Sequence, residues 1–197
     1  MSGGSVFPNP EQIQNHPPAV PLPIEAIDEL DRCWAAVTSP DPAKLLSLLS
    51  DSAASLTHCR SSFQQLVHRY PDHKTGLGRW DYELLKYTKG IGPSATRVIG
   101  HTMGYNFGAD LVGDGYLFSR LLRLGAPYAS HPLVTLSGDP TRMRDCEVAL
   151  TDAGELVFTG RANAIELNGI DDWVAGVHLD SKQGTVWCRK DGVLVAA

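Results

Sequence analysis

GLGRWDYELLKYTKG at residues 76–90 runs on into IGPSATRVIGHTMG at 91–104. DGYLFSRLLRLG follows at 114–125, and PLVTLSG (132–138) with DCEVALTDAGELVFTGR (145–161) closes the stretch. In the first segment Trp80, Leu84, Leu85 and Tyr87 recur at helical spacing, so a helix buries them on one face. Gly90, Gly92 and Pro93 then punctuate a turn. Ser94 is placed to cap a second helix with Val98, Ile99 and Met103 inward. After the loop GYNFGADLVGDG, Asp114 caps a third helix whose inner face is Tyr116, Leu117, Leu121, Leu122 and Leu124. PLVTL and EVAL are short β-rich runs on either side of the turn-rich SGDPTRMRDC. Asp152, with Glu155 three residues on, is placed as a capping box for a fourth helix.

Three helices, a two-stranded wing and a further helix spell a winged helix-turn-helix over residues 76–162. Working outward, residues 24–75 read as a helical region. Ile24, Ile27, Leu30, Trp34 and Val37 form the apolar face of its first helix, with Glu25, Asp28, Glu29 and Asp31 opposite. Asp41 caps a short second helix that has Pro42 at its first position. A third helix is expected over 55–70, with Leu56, Cys59, Phe63, Leu66, Val67 and Tyr70 on one face and Pro71 at its end. Ahead of these, residues 1–23 hold six of the thirteen prolines and read as a flexible leader. Behind the wing, residues 163–197 read as a β extension packed on the winged helix. In it Asn168-Gly169 is a turn, GVHL a strand, and VWCRK and VLVA a hairpin about Asp191-Gly192. The fold class expected is therefore mostly α with small β (α+β), in which N-terminal helices precede a winged helix-turn-helix and a C-terminal antiparallel β-meander.

A chain of 197 residues with 43% hydrophobic and 20% charged side chains can bury a real core. No run approaches a membrane span, and the first residues show neither the basic nor the apolar part of a secretory signal. Cys33, Cys59, Cys146 and Cys188 lie too far apart to suggest a disulfide framework, which fits reduced thiols in a cytoplasmic protein. The net charge of −5 is unevenly spread. Residues 1–56 carry two basic and seven acidic groups, residues 57–123 nine and five, and residues 124–197 six and ten. The one positive segment contains the helix-turn-helix, and clustered positive charge favours phosphate contacts.

Five side chains are candidates for DNA. Arg120 and Arg123, with Ser119, sit on the third helix, the element that enters the major groove in this fold; Arg142 and Arg144 sit in the wing loop. His58, Cys59, His68 and His73 lack the compact pairing of a structural zinc site, so no metal is expected. Nor does the chain carry a phosphate-binding loop, a dinucleotide fingerprint, a nucleophile elbow or a calcium loop. No cofactor and no catalytic residue are assigned. Asp171, Asp172 and His178 offer acid–base residue types, but a catalyst also needs a nucleophile and an orienting partner. The structural reading of that segment makes an aspartate the cap of a helical turn, plugs the core with Trp173 and places His178 on a strand.

LTDAG before a helix (150–154) resembles the close of bacterial winged-helix regulators of the MarR and PadR type. LNGIDDWVAGVHL at 167–179 resembles the C-terminal half of the bacterial proteins grouped as domain of unknown function 1835, on Asn168, Gly169, Asp171, Trp173, Gly176 and His178 among others. SPDPAKLLSLL, GLGRWDYELL and GDGYLFSRLLRL share the likeness, which covers roughly residues 25–190. Asp172 stands where that family usually has a basic residue, and Ala175 where it has a glycine. The resemblance implies architecture and a further upstream domain in longer members; it implies no catalytic residues.

The leading expectation is a winged-helix protein that binds double-stranded DNA, as a transcriptional regulator does. The alternative is a non-catalytic protein–protein interaction module, whose partner is another protein or the upstream domain supplied on a separate chain. An enzyme using Asp171, Asp172 and His178 is the third reading.

Overall fold

A computed structural model describes residues 19–50, 57–106 and 110–196. The leader expected at 1–23 therefore lies, up to residue 18, outside the described residues, as does Leu56 of the third helical face. Helices α1 (Ile24–Val37), α2 (Pro42–Ser50) and α3 (Thr57–Val67) come first. They are followed by α4 (Arg79–Ile91), α5 (Ala95–Asn106) and α6 (Asp114–Leu124). Strands β1 (Val134–Gly138) and β2 (Cys146–Leu150) form a hairpin, and the short helices α7 (Asp152–Phe158) and α8 (Ala164–Asn168) lead to two more hairpins. These pair β3 (Asp171–Val174) with β4 (Val177–Asp180), and β5 (Trp187–Lys190) with β6 (Val193–Ala196). The fold is thus α+β, helices first and antiparallel strand pairs last.

Two apolar cores hold it. The first joins Leu84 and Leu85 of α4, Val98 and Ile99 of α5, Leu117 and Leu121 of α6, and Val134 and Val148 of the hairpin. Each of these side chains is worth roughly 1.5–3 kcal/mol on full burial. The β1–β2 register runs from Val134 opposite Leu150 to Gly138 opposite Cys146. A further short pairing sets Ser94 antiparallel to Glu147, and Val148 N donates to Pro93 O at 2.7 Å. The segment between α4 and α5 thereby docks on the hairpin edge. Thr151, not Asp152, caps α7: its hydroxyl accepts from Gly154 N at 3.0 Å and donates to Pro132 O at 2.7 Å. The capping box expected of Asp152 and Glu155 does not form, because the cap sits one residue earlier and Glu155 pairs with Lys89 instead. Gly154 allows this packing, since a Cβ there would run into the carbonyl of Leu133. Asp114 is likewise the first residue of α6 rather than its cap, a position taken by Gly113.

The second core joins the two ends of the chain. Leu45 of α2, Val67 and Tyr70 at the end of α3, Val174, Val177 and Leu179 of β3–β4, and Leu194 of β6 are buried together. The apolar side of the C-terminal hairpins therefore packs on the N-terminal helices, while Ala164 and Leu167 of α8 pack on the first core. Arg189 of β5 donates to His68 Nδ1 at 2.7 Å; burial and the neighbouring Arg189 and Arg79 push the His68 pKa down.

Two local expectations are corrected. Asp171–Val174 is a strand, not a capped helical turn, and Trp173 lies 62% exposed instead of plugging the core. Alternation along β3 sends Val174 inward, so Trp173, one residue earlier, must point out. On α1 the packed residues are Glu29, Cys33 and Ala36, while Ile24, Ile27, Leu30 and Trp34 are exposed. The reason is close approach. Gly176 of the β3–β4 turn donates to Val37 O at 2.8 Å, and a Cβ at Gly176 would strike the Thr38 backbone. The small side of the helix, not its large apolar side, meets the neighbours. Expected features that are present include Asp41, whose Oδ1 accepts from Ala43 N at 2.9 Å at the start of α2, and the Asp191-Gly192 turn, both residues at positive φ.

Candidate functional site

Where α6 runs beside the β3–β4 hairpin, charged side chains converge. On α4, Asp81 falls in register with Trp80, Leu84, Leu85 and Thr88 on the buried face, so its carboxylate is carried inward. Arg120 of α6 answers it with a two-pronged bond: Nε donates to Asp81 Oδ1 at 2.9 Å and a terminal nitrogen donates to Oδ2. Arg120 also donates to Asp172 of β3. Its side chain is only 16% exposed. Arg123, one turn on, donates to Asp172 Oδ1 at 3.1 Å and to the Asp171 carbonyl at 2.6 Å. Trp173 N supplies a further bond to Asp172 Oδ1, at 2.9 Å.

This pairing decides the protonation states. Burial would push the Asp172 carboxyl up, but Arg120 first and Arg123 after it hold it below the usual carboxylate range. Burial likewise works against the Arg120 cation, and Asp81 and Asp172 outweigh it, so Arg120 stays charged. A second, half-buried pair lies nearby: Arg69 donates to both oxygens of Asp110 at 2.8 and 2.6 Å, and Trp80 Nε1 donates to Asp110 at 2.9 Å. Burial opposes the Asp110 charge, yet bonds from Arg69 and Trp80 hold its pKa low.

Beside the network opens a cleft of about 570 Å³ between α6, the loop after it, α8 and the start of β3. Leu77, Leu124 and Ile165 contribute apolar wall, and Arg123, Asp171 and Lys182 contribute charge. Arg120, Arg123 and Lys182 are offset there by Asp81, Asp171 and Asp172, so the cleft has no net sign.

The sequence-derived residues fall into three places. Arg120 and Arg123 are engaged by carboxylates and do not stand free for phosphate, which corrects the picture of α6 as an open basic helix. Ser119 donates to Tyr116 O at 2.7 Å within its own helix. Arg142 and Arg144 are exposed in the β1–β2 loop, Arg142 at 3.0 Å from Asp145. The signature residues build the hairpin and its neighbours. Asn168 Oδ1 accepts from His131 N at 2.8 Å and its amide donates to His131 O at 2.9 Å, bracing the loop after α6. Gly169 ends α8 at φ 70°, and Gly176 makes the close approach to α1. Asp171 and His178 Nε2 are 2.8 Å apart, and Trp173 stacks on the His178 ring at 4.5 Å.

Asp171 and Asp172 point to opposite faces of β3, as adjacent strand residues must. Asp172 is turned to Arg120 while Asp171 meets His178, so the three acid–base residues do not converge. Ser181 Oγ accepts from Ile170 N and donates to Ile170 O, which occupies it away from His178. Among the described residues no group of three or more His, Cys, Asp or Glu is placed to hold a metal ion. Burial pushes the thiols of Cys33, Cys146 and Cys188 up. No helix among the described residues is long and apolar enough to cross a membrane. Asp81 and Asp110 were not singled out from the sequence. The legible signal was an aspartate in the apolar register of α4, which requires an internal cation. No protein-family model matches the chain, and no curated protein sequence matches it.

Proposed function

We propose that this is a non-catalytic protein-interaction module of winged-helix type that works in the cytoplasm. The observation that carries the reading is the exposed apolar side of α1, where Ile24 and Trp34 are 62% and 72% exposed. Contiguous exposed apolar surface of this kind marks interaction sites. The order helix, short strand, helix, helix, hairpin supports the winged-helix part, through the pairing of Ser94 with Glu147. The engagement of Arg120 and Arg123 by Asp81 and Asp172 argues against α6 as a groove-reading helix. Winged helices serve either purpose, because fold does not fix function.

DNA binding is the second reading, and what favours it is the exposed pair Arg142 and Arg144 in the wing loop. One titration separates the two. Labelled random duplex DNA is mixed with the protein and followed by fluorescence anisotropy as salt is raised. We expect no binding at low ionic strength. Binding that weakens steeply with salt, and is lost in Arg142→Ala/Arg144→Ala, would overturn the interaction reading in favour of phosphate contacts.

A further inference from the structure

Around α1 the exposed residues are not randomly placed. Ile24, Ile27, Leu30 and Trp34 recur at three- and four-residue steps and make one ridge about 15 Å long, three turns of helix. Val20 and Leu22, in the segment just ahead of the helix, are exposed as well. Asp31 interrupts the ridge, and Asp28 and Glu25 line one flank with Arg32 between them; all four are exposed, three acidic against one basic. The inward side of the same helix is already occupied, with Cys33 and Ala36 buried against its neighbours. Among the described residues the ridge is therefore left uncovered, and a face of this width and period matches a partner helix laid along it.

Charge selects which helix. In a contact between two copies related by a two-fold axis, residues near the axis meet themselves. The middle of the ridge lies between Ile27 and Leu30 with Asp28 and Asp31 beside it, so a second copy would bring these carboxylates close to their own counterparts, with Glu25 adding to the repulsion. Helix α1 carries four acidic residues and one basic, which makes like-with-like pairing worse still. A helix whose apolar stripe is bordered by Lys or Arg meets the opposite condition. We infer that the outward face of α1 is the docking surface for an amphipathic helix with basic flanks. This inference rests on the protein-interaction reading above and names the chemistry of its partner.

The test uses two labelled amphipathic peptides of roughly 18 residues, long enough to cover the ridge. They share one leucine stripe; one has Lys flanks and the other Glu flanks. Anisotropy is measured against the full chain and two variants. With the wild-type protein the Lys-flanked peptide is expected to bind at least about tenfold more tightly than the Glu-flanked one, with salt narrowing the gap. Ile27→Ser/Trp34→Ala should weaken it by about tenfold or more while the melting curve is unchanged. Glu25→Lys/Asp28→Lys/Asp31→Lys should invert the preference between the peptides. Equal binding of both, or a preference that the charge reversal leaves in place, would overturn the inference, and so would absence of binding. Sedimentation showing a dimer lost in Ile27→Ser/Trp34→Ala would overturn it too, by seating a second copy on the ridge. If the peptides fail while duplex DNA also stays unbound, the interaction reading of the exposed α1 face stands and only the basic-flanked helix as its partner falls. Salt-sensitive binding to DNA would remove both.

Discussion

Helices α1 and α6 are both amphipathic, and the protein treats them in opposite ways. On α6 the side that looked functional, Arg120 with Arg123, is closed by carboxylates from α4 and β3. On α1 the side that looked structural, Ile24 through Trp34, is open. A charge cannot be buried without its partner, so an inward arginine collects aspartates. An apolar side chain can stay in water at modest cost, so nothing among the described residues compels Trp34 to be covered. The difference teaches that charge type alone is a poor guide to which surface is free.

The contrast breaks most severely at Arg120. Arg120→Ala leaves the buried Asp81 without a cation and Asp172 with Arg123 alone, and is expected to cost about 3–5 kcal/mol. Equilibrium unfolding in urea would read the loss. A change under 1 kcal/mol would mean the network contributes little and that α6 could surrender its arginines to another ligand.

A smaller effect is expected where α1 is fastened. Gly176→Val pushes a side chain into the backbone of Thr38 and Ser39, and should cost about 2–3 kcal/mol. The damage should fall on the second core, which α2, α3 and the C-terminal hairpins share. Hydrogen exchange should then speed up at Val177 and Leu179 before it does at Leu84 and Leu121. Uniform acceleration would show that the two cores unfold as one.

Asp172→Asn tests the latch between α6 and β3 more gently, because Arg120 keeps Asp81; about 1–2 kcal/mol is expected. It also has a pH signature. Asp172 and Asp110 are held below the usual carboxylate range, so their stabilisation is complete above the unfolded-state pKa and is lost as pH falls through the folded values. Wild-type stability should therefore decline below about pH 4, and the Asp172→Asn decline should be shallower. Parallel pH curves for the two proteins would show that Asp172 keeps an ordinary pKa.

What the sequence made legible follows from which signals are local. The helices at Trp80–Tyr87, Val98–Met103 and Leu117–Leu124, the β1–β2 hairpin and the Asp191-Gly192 turn all rest on periodicity or turn chemistry within a few residues, and each is present. The capping of α7 was displaced by one residue because Thr151 and Asp152 are both competent caps, and only the bond from Thr151 to Pro132, nineteen residues away, chooses between them. The ion network was illegible for the same reason: Asp81, Arg120 and Asp172 are separated by 39 and 52 residues. The α1 face was misread because periodicity reports two candidate sides of a helix, and which one is covered depended on Gly176, far along the chain.

The smallest expected effect on stability is therefore the most informative for α1. Trp34→Ala removes the largest side chain of the ridge from a position that is 72% exposed, and should shift unfolding by no more than about 0.5 kcal/mol. Its hydroxyl neighbour Thr38 caps the helix end through the Trp34 carbonyl, a backbone contact the substitution keeps. Were this face buried, the same change would empty a core position and cost about 3–5 kcal/mol. The two outcomes differ roughly tenfold in energy. A near-neutral Trp34→Ala leaves a large aromatic side chain on the surface with no structural duty, which is the condition a docking ridge must satisfy; a severe loss would move Trp34 into the second core and take the docking surface with it.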